Sequence, residues 1–363
     1  MRILLTNSIG KNKWGGGEKW MILAARGLID RGHEVAVGTY PGSLTEKKAK
    51  ENNIRVYPVR IRSDISIRGA FNLAKVLNDF KPDVLIGLQN RDILMSGIAS
   101  KFSHKPVIIA RHGVKLLKKN LKHRFIYTKF CSGIFTNTKT IKETYDSFNW
   151  WDPSFVNVIH NGIETPVTNG KSFDFRSVAP DMKDSSQAVI SIGRLSSQKG
   201  YKYLIEAAER ICKKLPDTYF FIIGKGKEEK NLKKLISSYG LNKKVFIMPF
   251  TDNIEPLLAS ADLFVLPSLF EGMPNVLLEA MASKVPVICS KINGVSEIFE
   301  DDYSAFLTPP ADTDSLEKTI YKFLTKGTSD YDVEKAFRIA VNKFSIDKML
   351  DKLEKYIITK ARQ

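Results

Sequence analysis

The sequence predicts an α/β protein made of two tandem domains, each a parallel sheet wound with helices. Three observations carry that prediction. At 363 residues the chain is longer than one hydrophobic core ordinarily serves. Short apolar β-type runs alternate with longer helical patterns along almost the whole length, the signature of repeated βαβ units. At 165–187 the alternation stops, with Pro166, Gly170 and Pro180 among serines and aspartates, and then it begins again.

In the first half the apolar runs place strands at 2–6, 34–39, 54–59, 83–88, 106–110, 133–136 and 156–159. Helical periodicity falls near 18–31, 68–80, 91–101 and 115–130. After the connection, strands are expected at 188–192, 218–223, 245–248, 263–266 and 285–289, with helices near 200–214, 227–239, 253–260, 275–283 and 314–326. Beyond Asp332 the pattern is purely helical, with a break at Phe344-Ser345 where Ser345 can cap a last helix reaching about residue 360. The expected organisation is a domain at 1–168, a second at 169–344 and a terminal helix at 345–363. Two similar open sheets in tandem place the default site where strand ends and helix N-termini converge.

Composition narrows the class. With 43% hydrophobic and 26% charged residues, the chain is neither disordered nor fibrous. Cys131, Cys212 and Cys289 are odd in number, far apart and without C-x-x-C spacing, which argues against a disulfide framework or a zinc site and fits a reducing compartment. The opening apolar run is too short for a signal peptide, and no stretch of about eighteen apolar residues occurs, so a cytoplasmic location is expected. Charge is uneven: residues 1–165 hold 27 Lys/Arg against 13 Asp/Glu, which is +14 of the total +17. Between Ile93 and Lys142 there are eleven basic residues and no acidic one. Such a field attracts an anionic partner: nucleic acid, lipid head groups or a phosphorylated glycan.

Four segments carry chemistry. Glu271 to Glu279 follows a strand and a Pro267-Ser268 turn. A Gly/Pro turn that opens a helix presents backbone N–H groups, which suit the oxygens of a diphosphate. Glu271 lies before that helix and Glu279 just over two turns along it, so the two carboxylates can hold different parts of one extended ligand. Gly193-Arg194-Leu195 with Lys199-Gly200 follows the first strand of the second series. Two cations at a strand's carboxyl end suit a leaving diphosphate. Gly15-Gly16-Gly17-Glu18 lets backbone approach a ligand but satisfies neither a Walker loop nor G-x-G-x-x-G. His160-Asn161-Gly162-Ile163-Glu164 closes the first series.

Taken together and in this order, these segments resemble glycosyltransferase family 4 over nearly the entire chain. The resemblance implies a GT-B fold, with two Rossmann-like domains facing across a cleft and a C-terminal helix crossing back to the N-terminal domain. It implies a nucleotide-diphosphate sugar held mainly by the second domain and a glycan or lipid-linked acceptor by the first, with retention of configuration and no metal or other cofactor. Arg194 and Lys199 match the family's diphosphate-binding pair, Glu271 its donor-sugar carboxylate and Glu279 its ribose carboxylate. Gly272, Met273, Asn275 and Val276 supply N–H groups around the donor, with Pro274, Gly16, Gly17 and Gly193 as further donor-binding positions. His112, expected just after the fifth strand, matches a histidine that faces the donor sugar and can manage a proton. Surface-polysaccharide or lipopolysaccharide biosynthesis is the implied setting.

Other features are weighed against this reading. His33 and His160 read as structural residues in turns. The Asp312-Thr313-Asp314 sequence resembles a metal-binding pair, but it immediately precedes a helix, so Asp314 reads as its N-cap. The 115–130 stretch sets Leu117, Leu121, Phe125 and Thr128 on one helical face. Lys115, Lys118, Lys119, Lys122 and Arg124 lie around it as an acceptor-facing or membrane-facing surface at the inner face of the cytoplasmic membrane. A nucleotide-sugar epimerase or a sugar phosphorylase of the same architecture is the enzymatic alternative. A nucleic-acid-binding role is disfavoured, because the basic stretch lacks interleaved aromatics or a helix-turn-helix and the ligand segments lie in the nearly neutral half.

Overall fold

The structure, a computed structural model, describes residues 1–11, 14–61, 66–165, 172–299, 307–327 and 330–363. The expected domain junction at 168/169, with Pro166 and Gly170, lies outside the described residues. The chain divides into two compact units, Met1–Gly162 with Ile346–Gln363, and Ile163–Ser345.

The first unit begins with β1 (Arg2–Asn7), α1 (Gly16–Asp30), β2 (Glu34–Thr39), α2 (Leu44–Glu51), β3 (Arg55–Pro58) and α3 (Ile67–Phe80). β4 (Val84–Gly87), α4 (Asn90–Ala99), β5 (Val107–His112), α5 (Leu121–Phe130), β6 (Gly133–Thr136), α6 (Lys139–Asp146) and β7 (Val156–Val158) complete its sheet. All pairings are parallel, in the order β3-β2-β1-β4-β5-β6-β7. Alternation along β1 sends Leu4 to the core beneath α3 and α4, and Ile3 and Leu5 to the core beneath α1. The terminal helix α14 (Ile346–Ala361) belongs to that second core through Met349, Leu350, Leu353 and Ile357. Trp20 Nε1 donates to Met349 Sδ at 3.0 Å, and His33 pairs with Glu354 at 2.9 Å.

The second unit repeats the plan with β8 (Gln187–Ile192), α7 (Tyr201–Lys214), β9 (Thr218–Ile223), α8 (Glu229–Ser238), β10 (Val245–Met248), α9 (Glu255–Ala259) and β11 (Leu263–Leu266). Then come α10 (Asn275–Ala282), β12 (Val287–Ser290), α11 (Asn293–Phe299), β13 (Leu307–Thr308), α12 (Thr313–Lys326) and α13 (Asp330–Phe344). Its parallel sheet runs β10-β9-β8-β11-β12-β13 around a continuous apolar core. Here Ile163 N–H donates to Phe344 O at 2.9 Å, tying the unit's first residue to the end of α13.

Each expected strand is present, and the differences have local causes. α2, α6 and α11 were not expected. α2 buries only Thr45 and Ala49, and α6 only Ile141 and Tyr145, so neither shows an apolar stripe in sequence. β13 is two residues long, below what periodicity can register. β5 extends through His112, which is therefore a strand residue and not a loop residue.

The helix expected at 115–130 begins only at Leu121, because the Asn120 side chain accepts from His123 N–H and caps it there. Its apolar face also differs. Leu117 is buried in the preceding loop, Ile126 and Tyr127 face inward, and Leu121 and Phe125 are 82% and 59% exposed. At α12 it is Asp312 that caps, accepting from Ser315 N–H at 2.9 Å, while Asp314 pairs with Arg210.

Candidate active site

In the second unit β8 and β11 are sheet neighbours although β9 and β10 separate them in sequence. Their carboxyl ends flank the point where strand order reverses, the usual ligand position of such sheets. The 193–200 loop leaves β8 and the 267–274 loop leaves β11. Lys199 Nζ stands 2.6 Å from Glu271 Oε1, with the two side chains only 14% and 10% exposed. Ser268 Oγ donates to the same carboxylate oxygen at 2.8 Å. The loops are also tied through backbone: Leu269 N–H donates to Gln198 O, and Gln198 Nε2 to Phe270 O, both at 2.8 Å. Glu271 is thus fixed by an ammonium and a hydroxyl on a braced turn, and its second oxygen, Oε2, lies 3.5 Å from Gln198 Nε2.

Two glycines make this closeness feasible. Gly200 adopts φ 65°, and a Cβ there would fall 2.0 Å from Pro267 O. Gly294 of α11 would place a Cβ 1.5 Å from Gly272 O, so the backbone behind the Glu271 turn admits only hydrogen. α10 then opens on Pro274 with no side-chain cap, and the positive end of the helix lies at the turn ahead of Asn275. The structure therefore brings Gly193, Lys199, Glu271 and Gly272 to one corner. Arg194 is exposed on the same loop, Met273 and Pro274 are buried behind it, and Asn275, Val276 and Glu279 are half-buried along α10.

The corresponding edge of the first unit is different in character. α1 opens on Gly15 with no side-chain cap, a Cβ on Gly16 would meet open space, and Gly17 lies against Arg111. Arg111 is buried with its guanidinium 4.5 Å over the Trp20 ring, and its Nη2 donates to Asn161 Oδ1 at 2.9 Å. Burial pulls its pKa down to about 10, against the opposing influence of Glu18, whose Oε1 accepts from Asn7 Nδ2. Asp92, fully buried at the start of α4, accepts from Ser8 N–H at 3.3 Å, and its other oxygen has no hydrogen-bond partner among the described residues. Desolvation raises its pKa to about 7.

His112 is fully buried, with Nε2 3.0 Å from Tyr127 Oη and Nδ1 3.1 Å from Tyr145 Oη. Burial, then the nearby Arg111 and His123, lower its pKa to about 3. The imidazole is fully buried and has a tyrosine hydroxyl at each ring nitrogen. Lys115, Lys118, Lys119, Lys122 and Arg124 are all exposed, the first three on the 113–120 loop and the others on α5.

Comparison with known proteins decides the family. The profile of glycosyl transferases group 1 matches residues 174–340, in the second unit, and that of Glycosyltransferase Family 4 matches 14–166, almost all of it in the first unit from α1 onward. The chain is a family 4 glycosyltransferase. It is 27% identical to the Escherichia coli UDP-Gal:alpha-D-GlcNAc-diphosphoundecaprenol alpha-1,3-galactosyltransferase, over 79% of this chain and 78% of that one. It is also 27% identical to the lipopolysaccharide core biosynthesis glycosyltransferase LpsE of Rhizobium meliloti, with 85% of each chain covered. Among solved structures, Anabaena HepE in complex with UDP-glucose superposes with TM-score 0.83 at 21% identity, over 99% of this chain and 100% of that one. A point variant of S. aureus TarM in complex with UDP superposes with TM-score 0.76 at 16% identity, over 98% of this chain and 99% of that one. These likenesses establish the two-domain GT-B fold of the glycosyltransferase.

Several residues that shape the edge of one unit or the other are not evident from the sequence alone. Ser268 stands three residues before Glu271, a spacing that can bond across a turn, and was read only as turn chemistry. Gln198 sits inside the 193–200 segment, where its residue type alone suggests no role. Gly294, Asn161, Asp92, Tyr127 and Tyr145 act through contacts distant in sequence and carried no local signal. Among the described residues no helix is long and apolar enough to cross a membrane.

Proposed function

We propose that this glycosyltransferase moves a sugar from a nucleoside diphosphate sugar to a lipid-linked diphosphate glycan, with retention and without a metal, in the assembly of a cell-surface polysaccharide. The observation that carries the proposal is the Lys199–Glu271 pair, held at 2.6 Å where the β8 and β11 loops meet beside the uncapped start of α10. Lys199 and Arg194 supply fixed positive charge for the departing diphosphate, the stabilisation a divalent metal gives in other transferases. Glu271, oriented by Ser268, accepts hydrogen bonds from sugar hydroxyls, and Glu279 from the ribose. The N–H groups of Gly272, Met273, Asn275 and Val276 take phosphate and sugar oxygens, and Gly193, without a side chain, leaves room for the donor to approach. Gly16 and Gly17, at the uncapped start of α1, present backbone to the same class of ligand.

The acceptor class follows from the first unit's charge and from the relatives that act on a diphosphoundecaprenol-linked sugar or in lipopolysaccharide core biosynthesis. Lys115, Lys118 and Lys119 meet the acceptor's phosphates. Leu121 and Phe125, exposed beside Lys122 and Arg124, rest on an anionic bilayer at the cytoplasmic face.

The test has two stages. Thermal-shift screening of UDP-, GDP- and ADP-sugars should yield one that raises the melting temperature. Incubation of that sugar with GlcNAc-diphosphoundecaprenol in EDTA should then give a product whose new linkage keeps the donor's anomeric configuration by NMR. Inversion, or activity that returns only with manganese, refutes the proposed mechanism.

A further inference from the structure

The first unit holds a buried chain of hydrogen bonds whose directions are fixed by elimination. Asn90 Nδ2 lies 3.0 Å from Leu116 O, and a carbonyl only accepts, so this orients the amide. Asn90 Oδ1 therefore faces Tyr127, whose hydroxyl donates to it at 2.7 Å. Having spent its proton, Tyr127 Oη can only accept from His112, so Nε2 carries the imidazole hydrogen. Nδ1 is then the lone-pair nitrogen and accepts from the Tyr145 hydroxyl. Tyr145 Oη has its lone pairs left, and they accept Leu116 N–H at 2.9 Å and Leu117 N–H at 3.3 Å.

Every donor along this path has an acceptor, and the path closes on itself. Leu116 is gripped at both polar groups, its N–H by Tyr145 and its C=O by Asn90. The grip acts on a segment with no helix or strand of its own, between the end of β5 and the start of α5. The next backbone anchor is Lys118 N–H, which donates to His123 Nδ1 at 2.9 Å. Lys115 and Lys118 thus flank a residue held in place by buried groups, while their own side chains stay exposed.

We infer that His112 is the hub of a directional clasp, with Tyr127, Tyr145 and Asn90, that fixes Leu116 and so presents Lys115 and Lys118 to an anionic group of the acceptor. These four are positioning residues, acting through the loop and not on the reacting atoms. A neutral ring with one fixed tautomer suits this task, because both nitrogens are needed, one to donate and one to accept. The functional half of the inference rests on the acceptor reading proposed above; the structural half does not.

Glutamine separates a clasp from acid–base chemistry at residue 112. Its amide can donate to Tyr127 and accept from Tyr145, yet it is no base. In the wild-type protein the Leu116 and Leu117 amides should exchange slowly with deuterium despite lying in a loop. Y145F, which keeps the ring and removes one oxygen, should speed that exchange at least tenfold, as should H112L, while H112Q should restore most of the protection lost in H112L.

With GlcNAc-diphosphoundecaprenol as acceptor, Y145F and H112L should raise the acceptor KM about tenfold and leave the donor KM unchanged, and H112Q should recover it. Unchanged exchange in Y145F overturns the clasp, and loss of kcat in H112Q equal to that in H112L shows that the imidazole works chemically. If wild-type protein transfers nothing to this acceptor while the exchange pattern holds, the acceptor assignment fails and the clasp stands. If exchange rises as stated but the acceptor KM stays put, the loop does not serve acceptor binding and the functional half is refuted.

Discussion

The two units build their ligand edges from opposite materials. The second is nearly neutral overall, yet at its centre stands an ion pair, Lys199 and Glu271, left slightly open to solvent. The first carries most of the chain's positive charge, yet its edge is buried: a neutral His112, an Asp92 with its pKa near 7, and an Arg111 packed on Trp20. Its cations stand outside, on the 113–120 loop and α5. Net charge therefore marks the surface able to attract an anionic partner, and it does not mark the ion pair. A formal charge acts over about a Debye length, roughly 8 Å at physiological salt, whereas a transition state is met at contact distance.

The sharpest way to break this contrast is at the ion pair. Lys199→Ala or Glu271→Ala should lower the rate of sugar transfer by about 10²–10³-fold, the scale for removing one preorganised electrostatic group. Circular dichroism should remain that of wild type, and a transfer rate within twofold would remove both residues from the site. The next effect belongs to the outer cations. Replacing Lys122 and Arg124 with Gln should weaken binding to phosphatidylserine vesicles by roughly 30-fold at low salt, at about 1 kcal/mol for each charge near the surface. The loss should shrink as salt rises, and a salt-independent loss would mean that packing and not charge was disturbed.

The buried groups make a smaller and stranger pair. Asp92 has its native pKa raised from 3.8 to about 7, so between those values the folded state binds the extra proton and stability falls as pH rises. His112 has its native pKa lowered from 6.5 to about 3, so over that range the unfolded state binds the extra proton and stability falls as pH drops. The two slopes, each up to about 1.4 kcal/mol per pH unit, oppose one another where their windows overlap. Wild-type melting temperature should be nearly flat there. Asp92→Asn should lean toward stability at higher pH, His112→Gln should lean the other way, and the double variant should be flat again. Parallel leanings in both single variants would contradict the burial assigned to one of them. Smallest of all is the effect of EDTA, which should leave transfer within experimental scatter of the untreated rate.

How much of this was legible in the sequence follows from the range of each interaction. Strands such as Thr218–Ile223 and Leu263–Leu266 declare themselves, because a parallel sheet buried on both faces needs unbroken apolar runs. The 193–200 and 271–279 segments could be placed at the carboxyl ends of strands because each follows an apolar run, and the structure brings Lys199 and Glu271 together there. What could not be read was settled by partners far along the chain. Nothing near His112 announces Tyr145, 33 residues on, and Asn161 reaches Arg111 from 50 residues away. Short-range competition misled as well. Leu117, Leu121 and Phe125 fit a helical stripe, but the Asn120 cap starts the helix after Leu117 and turns the other two outward. Asp312 and Asp314 both suit a helix start, and only the one whose oxygen reaches Ser315 N–H takes the role.

The two stitches between the 193–200 and 267–274 loops, Leu269 to Gln198 and Gln198 to Phe270, reach beyond this one molecule. They make the two segments a single inheritable cassette. An engineer who wishes to retune which sugar is accepted by borrowing from a relative would have to transplant both loops at once, since either alone would arrive without the partner that shapes it.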